Sequence, residues 1–213
     1  PLYLHAYAYH LNMRVENILP LDLLDIAAEQ KLFGVKIHVL DGETRSLGQS
    51  DDRNLALFGQ KAAQLGLDIH IETSSSEPKL IDQAVDIALK VKASSVRFYP
   101  RYEGHLQQVI AKIDSDIQYI KNTYSDSGLT FTLEQHEDLK GAELADIVSR
   151  SGMDTLSILF DFANMINANE QPLAALSDMA PWVTQVHIKD ALIIPEGKGT
   201  GHKACASGAG DMP

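Results

Sequence analysis

The chain has 213 residues, of which 45% are hydrophobic and 22% charged, a composition ordinary for one globular domain. Its formal net charge of −11 argues against a nucleic-acid-binding protein, because such proteins present basic faces to the phosphates, and it also disfavours anionic membrane surfaces. No apolar run approaches the ~20 residues that span a bilayer. We therefore expect neither a nucleic-acid nor a membrane partner.

Cysteine content and the first residues bear on the compartment. Cys205 is the single cysteine, which excludes an internal disulfide and fits a reducing environment. The N-terminal residues lack the charged-then-apolar pattern of a secretion leader. Both features predict a cytoplasmic protein. Because the chain opens on Pro1 without a methionine, we expect that its true start was removed or left out.

Short β-rich runs alternate with amphipathic segments along the whole chain. The β-rich runs lie at 2–10, 35–41, 67–73, 95–100, 129–136, 155–164 and 182–190. Apolar residues recur at helical spacing within 21–31, 52–65, 78–92, 106–124 and 142–150. Strands that alternate with helices predict βαβ units and a parallel sheet. Repeated right-handed crossovers leave two architectures, an open doubly wound sheet and a closed (β/α)8 TIM barrel.

Side-chain alternation in the strands favours the barrel. Strands covered by helices on both faces usually read as continuous apolar runs. Here Ile69 and Ile71 alternate with His70 and Glu72, and the four later strands show the same pattern. No G-x-G-x-x-G follows the first strand, which disfavours a dinucleotide-binding sheet. We expect an α/β protein of the (β/α)8 TIM-barrel class, with helices outside and a polar lumen.

The strand count is one short of a closed barrel. Seven strands are visible, whereas eight close a TIM barrel of ~250 residues. With no change in composition or linker along the chain, we expect residues 1–213 to form a single domain that is C-terminally truncated, its eighth strand missing. An open barrel and a strand supplied by another chain are the alternatives, although an open barrel would leave two sheet edges unpaired.

Three polar residues share inward parity at the ends of successive strands. They are Glu134, Asp161 and His187. In a TIM barrel the C-terminal strand ends carry the active site. Two carboxylates and an imidazole make a mixed oxygen and nitrogen set that suits a divalent metal ion such as Mn²⁺, Mg²⁺, Co²⁺ or Zn²⁺.

Four sequence segments carry a resemblance to a known family. They are "LEQHEDL" after the fifth strand, "FDFAN" at the sixth, "VHIKDA" at the seventh and the later "GAGDMP". With them the chain resembles, over its whole length, the xylose isomerase-like TIM barrels, a superfamily of sugar and sugar phosphate isomerases and epimerases. The resemblance implies a metal bound by Glu134, Asp161 and His187, with a fourth ligand, a glutamate, on the eighth strand. It also implies that Glu134 is one half of a catalytic acid/base pair.

Further residues of the polar side are candidates for the reaction or for substrate binding. Lys189 is a candidate catalytic cation, and its alternative role is to balance Asp190 or Asp161. The resemblance places a histidine where this chain has Asn164, which can hydrogen-bond a substrate but cannot shuttle a proton near neutral pH. The candidate substrate-binding residues are Glu72, Arg97, His136, Asn164 and Asp190.

Isomerisation of a ketose needs a base for a carbon-bound proton and a cation for the enediolate oxygens. The leading hypothesis is therefore a metal-dependent isomerase or epimerase of a small sugar, sugar phosphate or keto-polyol. The alternatives are a dehydratase similar to dehydroshikimate dehydratase, an endonuclease IV-like repair enzyme, disfavoured by the acidic charge, and a non-catalytic barrel that binds a metabolite. A homo-oligomer and a monomer are both compatible with the sequence.

The glycine-rich segment 197–210 predicts a loop, which either closes over the substrate as a lid or remains in solvent.

Overall fold

Seven strands alternate with helices, as the sequence predicts. The structure, a computed structural model, describes residues 1–136 and 138–213. The strands form one sheet in the order β1-β2-β3-β4-β5-β6-β7. The β1–β2, β2–β3, β3–β4 and β6–β7 pairs are parallel. The strands are β1 Tyr3–His5, β2 Gly34–His38, β3 Asp68–Glu72, β4 Ser95–Phe98, β5 Thr130–Glu134, β6 Leu156–Asp161 and β7 Val183–His187.

The helices between the strands lie within two residues of their predicted bounds. The five predicted ones are α2 Pro20–Glu29, α3 Asp52–Leu65, α4 Pro78–Val91, α5 Leu106–Tyr124 and α6 Gly141–Ser151. Three shorter helices were not predicted, α1 His10–Arg14, α7 Asn164–Asn167 and α8 Pro172–Met179. Short 3₁₀ turns lie at Ala6–Tyr9, Glu43–Arg45, Leu47–Gln49 and Ala180–Trp182. Among the described residues, no helix is long and apolar enough to cross a membrane.

The chain forms two compact units. The first unit comprises Pro1–Pro100 and Asn122–Phe131, and the second Arg101–Lys121 and Thr132–Pro213. The expectation of a single domain over 1–213 stays a prediction. In the first unit, Ile37 and Ile71 of the sheet are buried together with the helical Phe58.

Helices α3 and α4 pack closely in the first unit. A Cβ at Gly59 would lie only 2.5 Å from the carbonyl oxygen of Val91. The absence of a side chain at this position therefore lets the two helices approach.

The second unit has its own core. Leu133 and Phe160 of the strands and Ile113, Ile117 and Leu144 of the helices are buried there. One expectation is wrong in this unit. Val186 of β7 and Ile188, which directly follows the strand, belong to the side predicted to face helices, yet they are 43% and 69% exposed. In the described part of the chain, β7 is followed by two strands and not by a helix that would cover this side.

The glycine-rich segment forms a hairpin and not the predicted loop. Strands β8 Asp190–Glu196 and β9 Gly199–Cys205 pair antiparallel in a separate two-stranded sheet. Gly197 adopts a φ of 57° in the tight turn between them, a conformation that glycine adopts without steric cost. Glycines at 197, 199 and 201 thus mark a turn and a strand, and the loop expectation for 197–210 is corrected accordingly.

Candidate metal site

The three candidate ligands lie in the second unit, and each is the final residue of a strand. Glu134 ends β5, Asp161 ends β6 and His187 ends β7. Asp161 and His187 are direct partners in the β6–β7 register, and the backbone N–H of Gln135 donates to the carbonyl of Leu159 at 2.9 Å. Because parallel strands end at the same edge of a sheet, this register brings the three side chains together. The sequence-predicted convergence is therefore present.

The imidazole of His187 lies between the two carboxylates. Its Nδ1 is 3.3 Å from Oε1 of Glu134 and 3.4 Å from Oδ2 of Asp161. All three side chains are buried, with relative exposures of 4% for Glu134, 0% for Asp161 and 6% for His187. Two buried carboxylates this close together repel each other, so the arrangement is stable only with a compensating positive charge.

A neighbouring lysine supplies positive charge. The ammonium of Lys189 lies 2.6 Å from Oδ2 of Asp161, and the lysine side chain is 41% exposed. Burial alone would raise the pKa of Asp161, but the hydrogen bond from His187 and the charge of Lys189 outweigh it and hold the pKa below its usual range. Of the two partners that the sequence left open for Lys189, the structure shows Asp161.

The other oxygen of Asp161 holds the chain that follows β6. Oδ1 accepts the backbone N–H groups of Ala163 at 3.1 Å and Asn164 at 3.2 Å. The side-chain amide of Asn164 donates in turn to the backbone carbonyl of Gln135 at 3.1 Å, which ties the residue after β5 to the start of α7. Asn164 thus makes structural hydrogen bonds at the edge of the site, and His136 is half-buried two residues after Glu134.

The carboxylate of Asp190 organises the hairpin. It accepts backbone N–H groups from Gly208 at 2.7 Å and Gly210 at 2.9 Å, and also from Ala191 and Met212. These hydrogen bonds, that of Gly210 first, hold the pKa of Asp190 below its usual range. This role could not be predicted from the sequence, because the partners lie up to 22 residues away.

The other two candidate residues lie in the first unit. Glu72 and Arg97 are register partners on β3 and β4, and Nη2 of Arg97 lies 2.6 Å from Oε2 of Glu72. The same oxygen is 2.8 Å from Nε2 of His5. Glu72 is fully buried and Arg97 is 6% exposed. The two charged candidates of the first unit therefore form a buried ion pair with each other.

The first unit contains a polar cluster that is not among the sequence predictions. The hydroxyl of Ser74 lies 2.9 Å from Nε2 of His38 and 2.8 Å from the hydroxyl of Tyr99. Ser74 belongs to the polar "TSSS" run directly after β3. Because active sites of TIM barrels lie at the C-terminal strand ends, this run could have indicated the cluster.

The donor set of the second unit fits a divalent metal ion. Ligand atoms of Glu134, Asp161 and His187 all lie within 4.8 Å of one another. Carboxylate oxygens and an imidazole nitrogen at 2.0–2.2 Å are the ligands that Zn²⁺ and similar ions take. The excess of buried negative charge has the sign that a cation compensates.

No family model matches the chain. A relative in Escherichia coli (strain K12), the uncharacterized protein YihM, is 68% identical over 213 residues. The match covers 100% of this chain and 65% of the relative. The chain thus spans less than two-thirds of the length of the curated relative that it matches.

Solved structures share the fold. A D-tagatose 3-epimerase-like protein superposes with a TM-score of 0.73 at 15% sequence identity. The match covers 99% of this chain and 82% of that protein. The probable 3-DHS dehydratase AsbF of Bacillus anthracis superposes with a TM-score of 0.70 at 17% sequence identity. The match covers 90% of this chain and 73% of AsbF. A xylose isomerase-like TIM barrel protein of Mycobacterium smegmatis, in complex with magnesium, superposes with a TM-score of 0.65 at 13% sequence identity. The match covers 89% of this chain and 73% of that protein.

Proposed function

We propose that the protein is a divalent-metal-dependent isomerase or epimerase of a small sugar, sugar phosphate or keto-polyol. Its fold, which solved xylose isomerase-like TIM barrels share as the sequence motifs predict, supports this proposal. The observation that carries the proposal is the convergence of Glu134, Asp161 and His187 within 4.8 Å at three strand ends. In TIM-barrel enzymes the strand ends of this side carry the active site.

Glu134, Asp161 and His187 would hold the metal ion. When bound, a divalent ion polarises a carbonyl and stabilises negative charge on the substrate oxygens. The identity of the ion is open among Mn²⁺, Mg²⁺, Co²⁺ and Zn²⁺, since all of them accept this donor set.

The chain's own residues can move the proton. Oε1 of Glu134 faces His187, and the second carboxylate oxygen can take a proton from the carbon next to a substrate carbonyl. In an isomerisation the same carboxyl group then returns the proton to the former carbonyl carbon, while the hydroxyl proton moves to the oxygen of the new alcohol. Lys189 provides an ammonium beside the same site, where it can stabilise the enediolate left by proton removal. Burial of Glu134 excludes water from the base, which strengthens each of these electrostatic interactions.

Substrate binding is proposed for five residues. Glu72 and Arg97 lie on the polar side of β3 and β4, and His136 follows β5. For Asn164 and Asp190 the substrate-binding role stays a prediction, since the hydrogen bonds described for their side chains go to the backbone.

The first experiment is calorimetric titration of the chain with Mn²⁺. The Glu134→Gln variant should lose binding, while Glu103→Gln, the same change at an exposed position of the second unit, should keep it. Binding chains are then incubated in D₂O with a panel of ketoses, and NMR measures deuterium incorporation next to the carbonyl. An absence of binding in the native chain overturns the proposal, and so does binding that Glu134→Gln preserves.

A dehydratase is the second candidate, because AsbF shares the fold and the same residues could remove a proton beside a carbonyl. The two reactions differ in product. Loss of water creates a conjugated double bond that absorbs in the ultraviolet, whereas epimerisation incorporates deuterium without new absorbance. Metal binding without either signal would favour a non-catalytic barrel that binds a metabolite.

A further inference from the structure

The ammonium of Lys189 lies on the oxygen that a metal ion would need. Oδ1 of Asp161 already accepts two backbone N–H groups, from Ala163 and Asn164. Oδ2 is the oxygen that faces His187 at 3.4 Å, and it is also 2.6 Å from Nζ of Lys189. We propose that Lys189 is a displaceable counter-ion, which balances Asp161 without metal and leaves it when a divalent cation binds. This inference rests on the proposed metal site.

Charge makes the two cations competitors. A ligand oxygen sits about 2.0–2.2 Å from a divalent ion, so a lysine ammonium on the same oxygen would lie within a few ångströms of that ion. At such distances two positive charges repel each other strongly, even at a protein-like dielectric of ~20. One of the two cations has to move.

Lys189 is the group that can move. Its side chain is 41% exposed, whereas Glu134, Asp161 and His187 are buried at their strand ends. A lysine ammonium sits on a flexible four-carbon stem and is well hydrated once released. The released ammonium remains tethered two residues after His187, where it can serve the substrate. Metal binding would therefore turn Lys189 from a partner of Asp161 into a cation for the substrate oxygens.

Displacement makes a quantitative prediction, because the metal ion has to break an ion pair. Lys189→Met removes the competitor, and we expect it to bind Mn²⁺ about 10-fold more tightly in calorimetry than the native chain. Lys189→Arg keeps a competing cation and should stay within about 3-fold of the native affinity. Lys198→Met, the same change at the exposed hairpin turn, should leave the affinity unchanged. Equal or weaker binding by Lys189→Met overturns the inference, because the lysine would then support the metal ion.

A second measurement follows the ammonium directly. The native chain is acetylated with a limiting amine-reactive ester, with and without Mn²⁺, and mass spectrometry compares the modification at Lys189 and Lys198. Release from Asp161 should raise the labelling of Lys189 several-fold on metal addition and leave that of Lys198 constant. Unchanged labelling of Lys189 at saturating Mn²⁺ overturns displacement.

The two hypotheses fail differently. If neither the native chain nor Lys189→Met binds Mn²⁺, both the metal site and the inference are overturned. If the native chain binds Mn²⁺ through Glu134 but Lys189→Met binds no more tightly, the inference alone fails. If only Lys189→Met binds Mn²⁺, the lysine blocks the site and is not displaced, so the inference and the proposed function of the native chain both fail.

Discussion

The substitution Glu134→Gln should change the stability of the protein in opposite directions with and without metal. Ligand atoms of Glu134 and Asp161 lie within 4.8 Å of each other and both carboxylates are buried. At an effective dielectric of ~20, two unit charges at that distance repel by about 3 kcal/mol. Lys189 and His187 offset part of this repulsion. We therefore expect the neutral glutamine to raise the free energy of unfolding by about 1 kcal/mol in EDTA.

With metal the order reverses. A ligand that binds the folded state at 100 times its Kd stabilises the protein by about 2.7 kcal/mol. The native chain gains this stabilisation, while Glu134→Gln gains little because it lacks a ligand. At saturating Mn²⁺ the native chain should therefore be about 2 kcal/mol more stable than the variant.

Urea unfolding followed by circular dichroism, in EDTA and in Mn²⁺, measures both signs. Glu103→Gln is the matched control and should behave as the native chain in both buffers. Lower stability of Glu134→Gln in EDTA would refute the repulsion argument, because the carboxylate would then be a net stabiliser without metal. An equal gain of both proteins in Mn²⁺ would refute Glu134 as a ligand.

Three further substitutions test parts of the fold. Hydrogen bonds outweigh burial and lower the pKa of Asp68 to about 2, so its contribution is present above pH ~4 and is lost as the pH falls towards 2. Asp68→Asn should thus cost roughly 1 kcal/mol at pH 7 after discounting for solvent, with a shallower acid transition in urea unfolding. Gly59→Ala should lower the unfolding free energy by about 1–2 kcal/mol, because its Cβ would meet Val91, and calorimetry should show a lower Tm. Asp190→Asn should speed hydrogen exchange of the Gly208 amide roughly tenfold, and an unchanged rate would contradict its role in the hairpin.

The central part of the candidate site was predictable because two regularities coincide there. Side chains alternate with period two along a strand, and parallel strands end at one edge of a sheet. Glu134, Asp161 and His187 share parity and each ends its strand, so their convergence followed from the sequence. Apolar and polar side chains also alternate along β7, but its apolar side is not buried. Val186 and Ile188 are exposed, because burial depends on which element covers the strand.

Partner choice was not predictable from the sequence. Lys189 stands next to Asp190 in the chain, and local sequence alone favours neither that partner nor Asp161. The structure decides through the hairpin, because backbone N–H groups from residues 18 to 22 positions away already hold the Asp190 carboxylate. Such contacts depend on how β8 and β9 fold back, which periodicity does not encode.

The hydrogen bonds of Asp161 connect the site to the fold. One carboxylate oxygen fixes the turn into α7, and the other meets the ammonium of Lys189 and faces His187. A residue fixed in this way cannot turn away from its neighbours, so the negative charge between β5 and β7 stays in place whether or not a metal ion is bound. The mobile ammonium of Lys189 stabilises this buried charge when no metal ion is bound, and it can leave the oxygen when a divalent ion binds there. Stability without metal and affinity for metal should therefore be opposed at this site, and substitutions of Glu134 and Lys189 should move them in opposite directions.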